Sequence, residues 1–151
     1  MRKVDVAIIG AGTSGLSARR EVAKVTENYV VIDDGPLGTT CARVGCMPSK
    51  VLIQSANDFY RRFQFSELGI QGGETLKIDR PQVWKQVRKL RDRFVKGVRS
   101  DMKSWENEHL VRKHAIFLDS NTLKLTDPLN SNDEEKIQAK SIVIALSLIH
   151  I

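Results

Sequence analysis

Two cysteines with the spacing CxxxxC are the residues of this sequence best suited to redox chemistry. Cys41 and Cys46 lie in a loop rich in glycine and threonine that leads into a predicted helix. The thiolate is the reactive form of cysteine, and a helix N-terminus with basic neighbours such as Arg43 or Lys50 favours it. Such a pair can exchange electrons with a disulfide and with an adjacent redox cofactor. Two reduced thiols without a redox role are the alternative interpretation.

The same cysteines are not expected to hold a metal ion or a structural disulfide. A structural zinc ion needs about four ligands, and the sequence has no third cysteine and no histidine near the pair. An acidic residue, Asp5, precedes the short apolar run near the N-terminus, which is not the pattern of a secretory signal. We therefore expect a cytoplasmic protein, and structural disulfides are disfavoured in that compartment.

A glycine-rich turn at residues 10–15 (GAGTSG) is the second feature that can do chemistry. It follows a β-branched run at residues 4–9, which is typical of a buried parallel strand. Gly10 lets the strand turn sharply, Gly12 leaves room for a pyrophosphate, and Gly15 lets the next helix pack closely on the strand. The free amides and the dipole of that helix then attract anionic phosphates.

The elements around this turn match what the motif requires. A helical stretch that includes Thr13 and Ser14 continues to about Glu27, and a second apolar run covers residues 29–32. Asp33 stands at the end of that run, where its carboxylate can accept hydrogen bonds from a ribose. The order strand, turn, helix, strand and acid predicts a βαβ unit that binds a dinucleotide. The motif alone does not separate NAD from FAD.

Further along the chain, two helical stretches precede a region of strands. Residues 51–63 have helical character, and a longer helix begins after Asp79, with Pro81 in its first turn. The apolar residues of this helix form one stripe: Val83, Val87, Leu90, Phe94, Val98, Met102 and Trp105. We expect the stripe to pack on the sheet of the same domain, and a coiled-coil seam is the alternative.

Strands are predicted from residue 110 onward because the apolar period changes to two. They cover residues 110–112, 115–118, 122–126 and 137–145. The fold class is therefore α/β, with a parallel Rossmann-like sheet, a long helical excursion and a small antiparallel β-meander. A chain of 151 residues with 41% hydrophobic residues is long enough for one domain with a real core and is not disordered.

The net charge of +6 raises the possibility of a nucleic-acid partner. Much of the surplus lies in residues 80–103, where a solvated helix face explains it, and no known nucleic-acid-binding motif accompanies it. Apolar runs are also too short for a membrane span. We expect neither a nucleic acid nor a membrane as a partner.

With its two motifs joined, the chain resembles the FAD domain of the class I pyridine nucleotide–disulfide oxidoreductases. The resemblance covers residues 4–145 and is most specific at residues 40–50, where CxxxxC is followed by PSK. Within the family it is most similar to the dihydrolipoyl dehydrogenases. The resemblance implies an incomplete FAD-binding domain over residues 1–145, and places the NAD site and the dimerisation domain outside this chain.

The resemblance also implies roles for individual residues. Cys46 would face the flavin, Cys41 would exchange with the substrate disulfide, and Lys50 would lie near the reactive edge of the flavin. Other residues would bind the rest of FAD. Asp33 would bind the ribose, Thr40 a phosphate, and the backbone of Ala115 the adenine. The pyrophosphate would be bound by the glycine turn and the first turn of the helix: Gly10, Gly12, Thr13, Ser14 and Gly15. Two departures from the family pattern are Thr39, where many relatives have glycine, and Arg43, where many have asparagine.

The activity implied is the oxidation of a dihydrolipoyl group with NAD as the final acceptor. The full-length parent would be a homodimer, and its substrate would be carried on a 2-oxoacid dehydrogenase complex. A glutathione- or mercuric-reductase-like enzyme is the alternative within the class. A flavin-binding module without catalysis is the alternative from another class.

The last six residues, 146–151 (LSLIHI), stand where the family has a Thr-Gly turn. They can be encoded by CTG TCT CTT ATA CAC ATC, the transposon end used in sequencing-library preparation. We expect this segment to be a non-native tail on a truncated natural sequence, and a genuine short paralogue is the alternative.

Overall fold

The computed structural model describes residues 1–130 and 133–146 of the chain. Most of the proposed tail, residues 147–151, lies outside the described residues. The chain divides into two compact units, of which the first contains Met1–Thr39 and the described residues from Arg99 onward, and the second contains Thr40–Val98. In the described part of the chain, no helix is both long enough and apolar enough to cross a membrane.

The first unit is built on a six-stranded sheet in the order β3-β2-β1-β6-β5-β4. The strands are β1 (Arg2–Ile9), β2 (Tyr29–Ile32), β3 (Leu110–Val111), β4 (His114–Phe117), β5 (Thr122–Thr126) and β6 (Glu134–Ile144). Strand β1 is parallel to both β2 and β6, while β4, β5 and β6 form an antiparallel meander. This arrangement confirms the predicted α/β class with a parallel sheet and a small meander.

Strand β6 joins the two parts of the sheet because it is long enough to pair on both sides. Residues 137–144 lie parallel to β1, and residues 134–138 lie antiparallel to β5. The prediction began this strand at Ile137, three residues too late. Its polar first residues pair with β5 instead of forming a loop, and Glu134 forms an ion pair with Lys124 of that strand.

The core of the first unit comes from the two sheet regions together. All four residues of β2 are buried, as expected for a strand with neighbours on both sides. The buried core residues are Val4, Ala7, Ile9, Val30, Ile32, Leu123, Leu125, Ile137 and Ala139. This core holds the carboxyl ends of β1, β2 and β6 in fixed register, and the glycine turn follows the first of these ends.

Helix α1 (Thr13–Val22) is shorter than the predicted stretch to Glu27. After Val22 the hydrogen bonds tighten, with the Val25 N–H donating to the Val22 carbonyl at 2.9 Å. Thr26 then uses its side-chain oxygen locally, accepting from the Asn28 N–H at 3.1 Å. Threonine favours such local bonds over a helix interior, which explains why the helix ends early.

The second unit contains α2 (Thr40–Arg43), α3 (Cys46–Tyr60) and most of α4 (Arg80–Met102). Short 3-10 turns at Arg61–Gln64 and Gly73–Thr75 lie between α3 and α4. The predicted start of α3 at Val51 was too late. Pro48 lies in the first turn of α3, where proline needs no N–H partner.

Helix α4 begins as predicted. The Gln82 N–H donates to Asp79 Oδ1 at 3.0 Å, which is an N-cap hydrogen bond. The predicted apolar stripe is the shielded face of the helix, with Val87 and Met102 buried. Packing of the stripe on the sheet stays a prediction. The last helix, α5 (Glu106–His109), precedes β3.

Candidate functional site

The glycine turn lies where three neighbouring strands of the first unit end. The Gly10 N–H donates to the Ile32 carbonyl at 2.7 Å, and the Ala145 N–H donates to the Ile9 carbonyl at 2.8 Å. Gly10 has a φ of 108°, and a Cβ on it would lie 2.7 Å from the Ala145 carbonyl oxygen. Gly10 is therefore packed against the backbone of Ala145, and only glycine fits at this position.

The other two glycines of the turn face different surroundings. A Cβ on Gly15 would overlap the Gly10 carbonyl oxygen, whereas a Cβ on Gly12 would have no atom of the described protein within 4 Å. Gly12 is the N-cap of α1, and within the described residues no side chain caps that end. Thr13 and Ser14 are exposed in the first turn. The N-terminal amides of α1 are thus accessible to an anion from outside.

Asp33 is attached to this turn by its carboxylate. Asp33 Oδ2 accepts the Ala11 N–H at 2.6 Å, and Oδ1 accepts the Gly35 N–H at 2.8 Å. The Arg112 guanidinium lies 3.7 Å from Oδ1. A carboxylate has about four acceptor positions, so two hydrogen bonds leave capacity for ribose hydroxyl groups.

Ala115 belongs to the same end of the first unit. It lies in β4, paired with Leu125, and is packed against the core. Its neighbour His114 places Nδ1 2.9 Å from Asp34 Oδ2. This contact brings the start of β4 close to the turn that follows β2.

The two cysteines lie together in the second unit. Cys41 is in α2 and half-buried, while Cys46 is the first residue of α3 and exposed; both are free thiols. A hydrogen bond with Cys46, followed by partial burial, raises the pKa of the Cys41 thiol above its ordinary value, and the charge of Lys50 acts in the opposite direction. The two thiols are therefore neighbours that influence each other's ionisation.

Gly45 packs closely against the backbone of Thr40 and Cys41, although sequence reasoning did not single it out. A Cβ on Gly45 would lie 3.2 Å from the Thr40 carbonyl oxygen and 3.5 Å from Cys41 Cα. The Val44 N–H donates to the same carbonyl at 3.0 Å. A glycine between two helices that bear cysteines is the sequence signal that could have identified it.

Three further residues lie near the cysteine pair in the sequence: Thr40, Arg43 and Lys50. Thr40 and Arg43 are the first and last residues of α2, and Thr40 is exposed. Lys50 is exposed in α3, one turn beyond Cys46.

The predicted site residues form two clusters, one in each unit: Gly10, Gly12, Thr13, Ser14, Gly15, Asp33 and Ala115 in the first, and Thr40, Cys41, Cys46 and Lys50 in the second. Among the described residues, no group of three or more His, Cys, Asp or Glu side chains is arranged to hold a metal ion.

Comparison with known proteins places the chain in a well-defined group. Residues 4–146 match the family described as pyridine nucleotide-disulphide oxidoreductase. A dihydrolipoyl dehydrogenase of Geobacillus stearothermophilus is 27% identical over 143 residues, which are 95% of this chain and 29% of that protein. A dihydrolipoyl dehydrogenase of Chlorobaculum parvum is 30% identical over 93% of this chain and 29% of its own length.

A solved structure shows the same fold. The Cu(II) complex of the HOCl-induced flavoprotein disulfide reductase RclA from Escherichia coli superposes with a TM-score of 0.67 at 18% identity. The match covers 100% of this chain and 31% of the other. The chain therefore spans about three tenths of the length of the relatives that it matches.

Proposed function

Since the chain belongs to the pyridine nucleotide-disulphide oxidoreductase family, we propose that residues 1–145 form the N-terminal segment of its FAD-binding domain. The family membership implies FAD as the cofactor, with NAD used by the full enzyme. The observation that carries the proposal is the pair of free, interacting thiols Cys41 and Cys46, in the same chain as an open glycine turn whose Ala11 amide donates to Asp33.

The first unit fits the adenosine and pyrophosphate half of FAD. The empty space beside Gly12 and the accessible amides at Thr13 and Ser14 suit a pyrophosphate, because the backbone can approach it without a side chain between them. Gly10 and Gly15 shape the turn, and Asp33 would accept hydrogen bonds from the ribose. We assign the adenine contact to the backbone of Ala115 and a phosphate contact to Thr40.

The second unit supplies the dithiol. When the pair is oxidised to a disulfide, a substrate thiolate would attack Cys41 Sγ, and Cys46 would leave as a thiolate. The second substrate thiolate would then attack the mixed disulfide, releasing the substrate as a disulfide and leaving both cysteines reduced. FAD, when bound, would accept the two electrons and pass them to NAD. Lys50 would stabilise negative charge near the pair.

For the full-length protein, we propose dihydrolipoyl dehydrogenase activity. The support is that relatives with this name match nearly the whole chain at 27–30% identity. The proposed substrate is a lipoyl dithiol carried on a 2-oxoacid dehydrogenase complex in the cytoplasm, and the proposed assembly is a homodimer. A glutathione- or mercuric-reductase-like activity is the alternative, and Arg43, two residues from Cys41, adds a charge that bears on this choice.

Two measurements on the purified chain test the proposal. Because residues 1–145 are expected to form only part of the FAD-binding domain, equilibrium dialysis with FAD should show weak, saturable binding that is lost in Gly12→Ala and kept in Arg20→Ala, which removes an exposed charge of α1. Treatment with oxidised lipoamide should convert Cys41 and Cys46 to an intramolecular disulfide, seen as the loss of two hydrogens in the intact mass. No saturable FAD binding would contradict the cofactor assignment. FAD binding without disulfide formation would identify a flavin-binding module without dithiol chemistry.

A further inference from the structure

The Arg112 side chain donates hydrogen bonds to the backbone of the turn that follows β2. Its Nη2 donates to the Gly35 carbonyl at 2.6 Å and to the Asp34 carbonyl at 3.2 Å. Its Nη1 lies 3.7 Å from Asp33 Oδ1. The Arg112 side chain therefore contacts three consecutive residues. The first of them, Asp33, bears the carboxylate that is assigned to the ribose.

The turn at residues 33–35 also holds the glycine turn at residues 10–15 in place. Asp33 uses one carboxylate oxygen for the Ala11 N–H and the other for the Gly35 N–H. The orientation of the carboxylate is therefore set partly by Gly35, whose carbonyl is the closest partner of Arg112. A substitution of Arg112 would therefore weaken the hydrogen bond of the Ala11 N–H, in the glycine turn, because Gly35 and Asp33 link the two residues.

The backbone around Arg112 is placed to make this contact. The Asp33 N–H donates to the Val111 carbonyl at 3.1 Å, which aligns the end of β3 beside the end of β2. Arg112 and Lys113 form the short connection between β3 and β4, with a bend at Lys113. Arg112 and His114 face the turn, with His114 on Asp34, while Lys113 points elsewhere and pairs with Asp133 at 2.7 Å.

We propose that Arg112 is a positioning residue of the nucleotide site, which fixes the Asp33–Gly35 turn so that the Asp33 carboxylate stays on the Ala11 amide and presents its free acceptor positions to the ribose. The inference rests on the proposed function for the identity of the ligand only. Arginine suits the role because one nitrogen of its rigid, planar guanidinium donates to both carbonyls while the other lies beside the Asp33 carboxylate, an arrangement that the single nitrogen of a lysine does not reproduce.

Amide hydrogen exchange on the ligand-free chain tests the positioning directly. Arg112→Ala should increase exchange at the Ala11 and Gly35 amides by about tenfold or more, since a hydrogen bond to a charged group is being loosened. Arg20→Ala, which removes the same charge from an exposed position of α1, should leave both amides unchanged. Should Arg112→Ala fail to fold, Arg112→Lys provides the test, with a smaller increase at the same two amides. Unchanged exchange at Ala11 in a folded variant would overturn the inference.

Binding of ADP, the nucleotide half of FAD, completes the test. We expect Arg112→Ala to weaken ADP binding by about tenfold, Arg112→Lys to restore part of it, and Arg20→Ala to leave it unchanged. In combination with Asp33→Asn, the effect of Arg112→Ala should largely disappear, because both changes act on one carboxylate. Additive effects would show that Arg112 does not act through Asp33. A wild-type chain that binds no ADP would refute the proposed function, while the exchange result would still decide the role of Arg112.

Discussion

The carbonyl oxygen of Gly10 occupies the space that a side chain on Gly15 would need. The contact joins the end of β1 to the first turn of α1 and brings the helix against the sheet at the place where the chain turns. At Gly12, between these two residues in the sequence, a Cβ would meet nothing within 4 Å among the described atoms. Two glycines of one motif thus serve different purposes, since Gly15 is needed for packing and Gly12 leaves space for a ligand.

Replacing Gly15 should therefore weaken folding. The Ala variant must push the helix away from Gly10, and overpacking of this kind typically costs about 1–3 kcal/mol of the free energy of unfolding. Urea denaturation followed by circular dichroism measures this loss. Gly12→Ala is the matched control, and its free energy of unfolding should stay within about 0.5–1 kcal/mol of wild type, because alanine is only a poorer N-cap than glycine. Equal losses at both positions would contradict the distinction.

The parts of the fold that sequence predicted well are those decided by local pattern. The glycine turn, the four apolar residues of β2 and the Asp79 cap each carry their signal within a few residues, and all lie where predicted. Element ends were predicted less well, and at β6 the reason is distant pairing. Glu134 looks like a loop residue, yet it belongs to β6 because it lies opposite Thr126 of β5 and forms an ion pair with Lys124.

The candidate site divides in the same way. Asp33 was predicted because it ends a strand after a glycine turn, which is a local signal. Arg112 was not, because its contacts are to a turn nearly eighty positions earlier in the chain and follow only from the alignment of β3 beside β2. Gly45 was overlooked for a related reason, since the need for glycine there appears only when α2 and α3 are in contact.

Thr39 is held in a left-handed backbone conformation, with a φ of 62°, which β-branched residues rarely adopt. Strain of this kind costs about 1–2 kcal/mol. Thr39→Gly and Thr39→Ala both lose the buried Thr39 side chain, but only the glycine variant relieves the strain. The glycine variant should therefore be more stable than the alanine variant by about 1 kcal/mol, after allowance for the greater freedom of glycine in the unfolded chain. A glycine variant no more stable than the alanine variant would contradict this account.

The Cys41 thiol should ionise at a higher pH than an ordinary thiol. Its hydrogen bond with Cys46 raises the pKa most, burial adds to this, and the Lys50 charge opposes it. Alkylation by iodoacetamide under reducing conditions, followed by peptide mass spectrometry, gives the pH profile of each cysteine, because only the thiolate reacts. Cys46→Ala should move the Cys41 profile to lower pH, and Lys50→Gln should move it to higher pH. Shifts in the same direction for the two variants would refute the assigned causes.

The ion pair between Asp5 and Lys140 should make stability depend on pH in the acid range. Lys140 Nζ lies 2.7 Å from Asp5 Oδ1, and the Thr26 hydroxyl donates to Oδ2 at 2.8 Å. These hydrogen bonds, that of Lys140 first, hold the pKa of the Asp5 carboxyl below its ordinary value of 3.8. A carboxyl whose pKa is lower in the folded state stabilises the protein above its unfolded-state pKa, and this contribution is lost as the pH falls through the folded-state pKa.

Asp5→Asn should therefore be less stable than wild type near neutral pH, and the difference should shrink as the pH falls below about 4. Urea denaturation of both proteins across this range measures the difference directly. Glu27→Gln, at an exposed acid for which the described residues show no ion pair, is the control and should follow wild type throughout. A constant difference between Asp5→Asn and wild type from neutral pH down to about pH 2.5 would show that the carboxylate charge contributes nothing to joining β1 and β6.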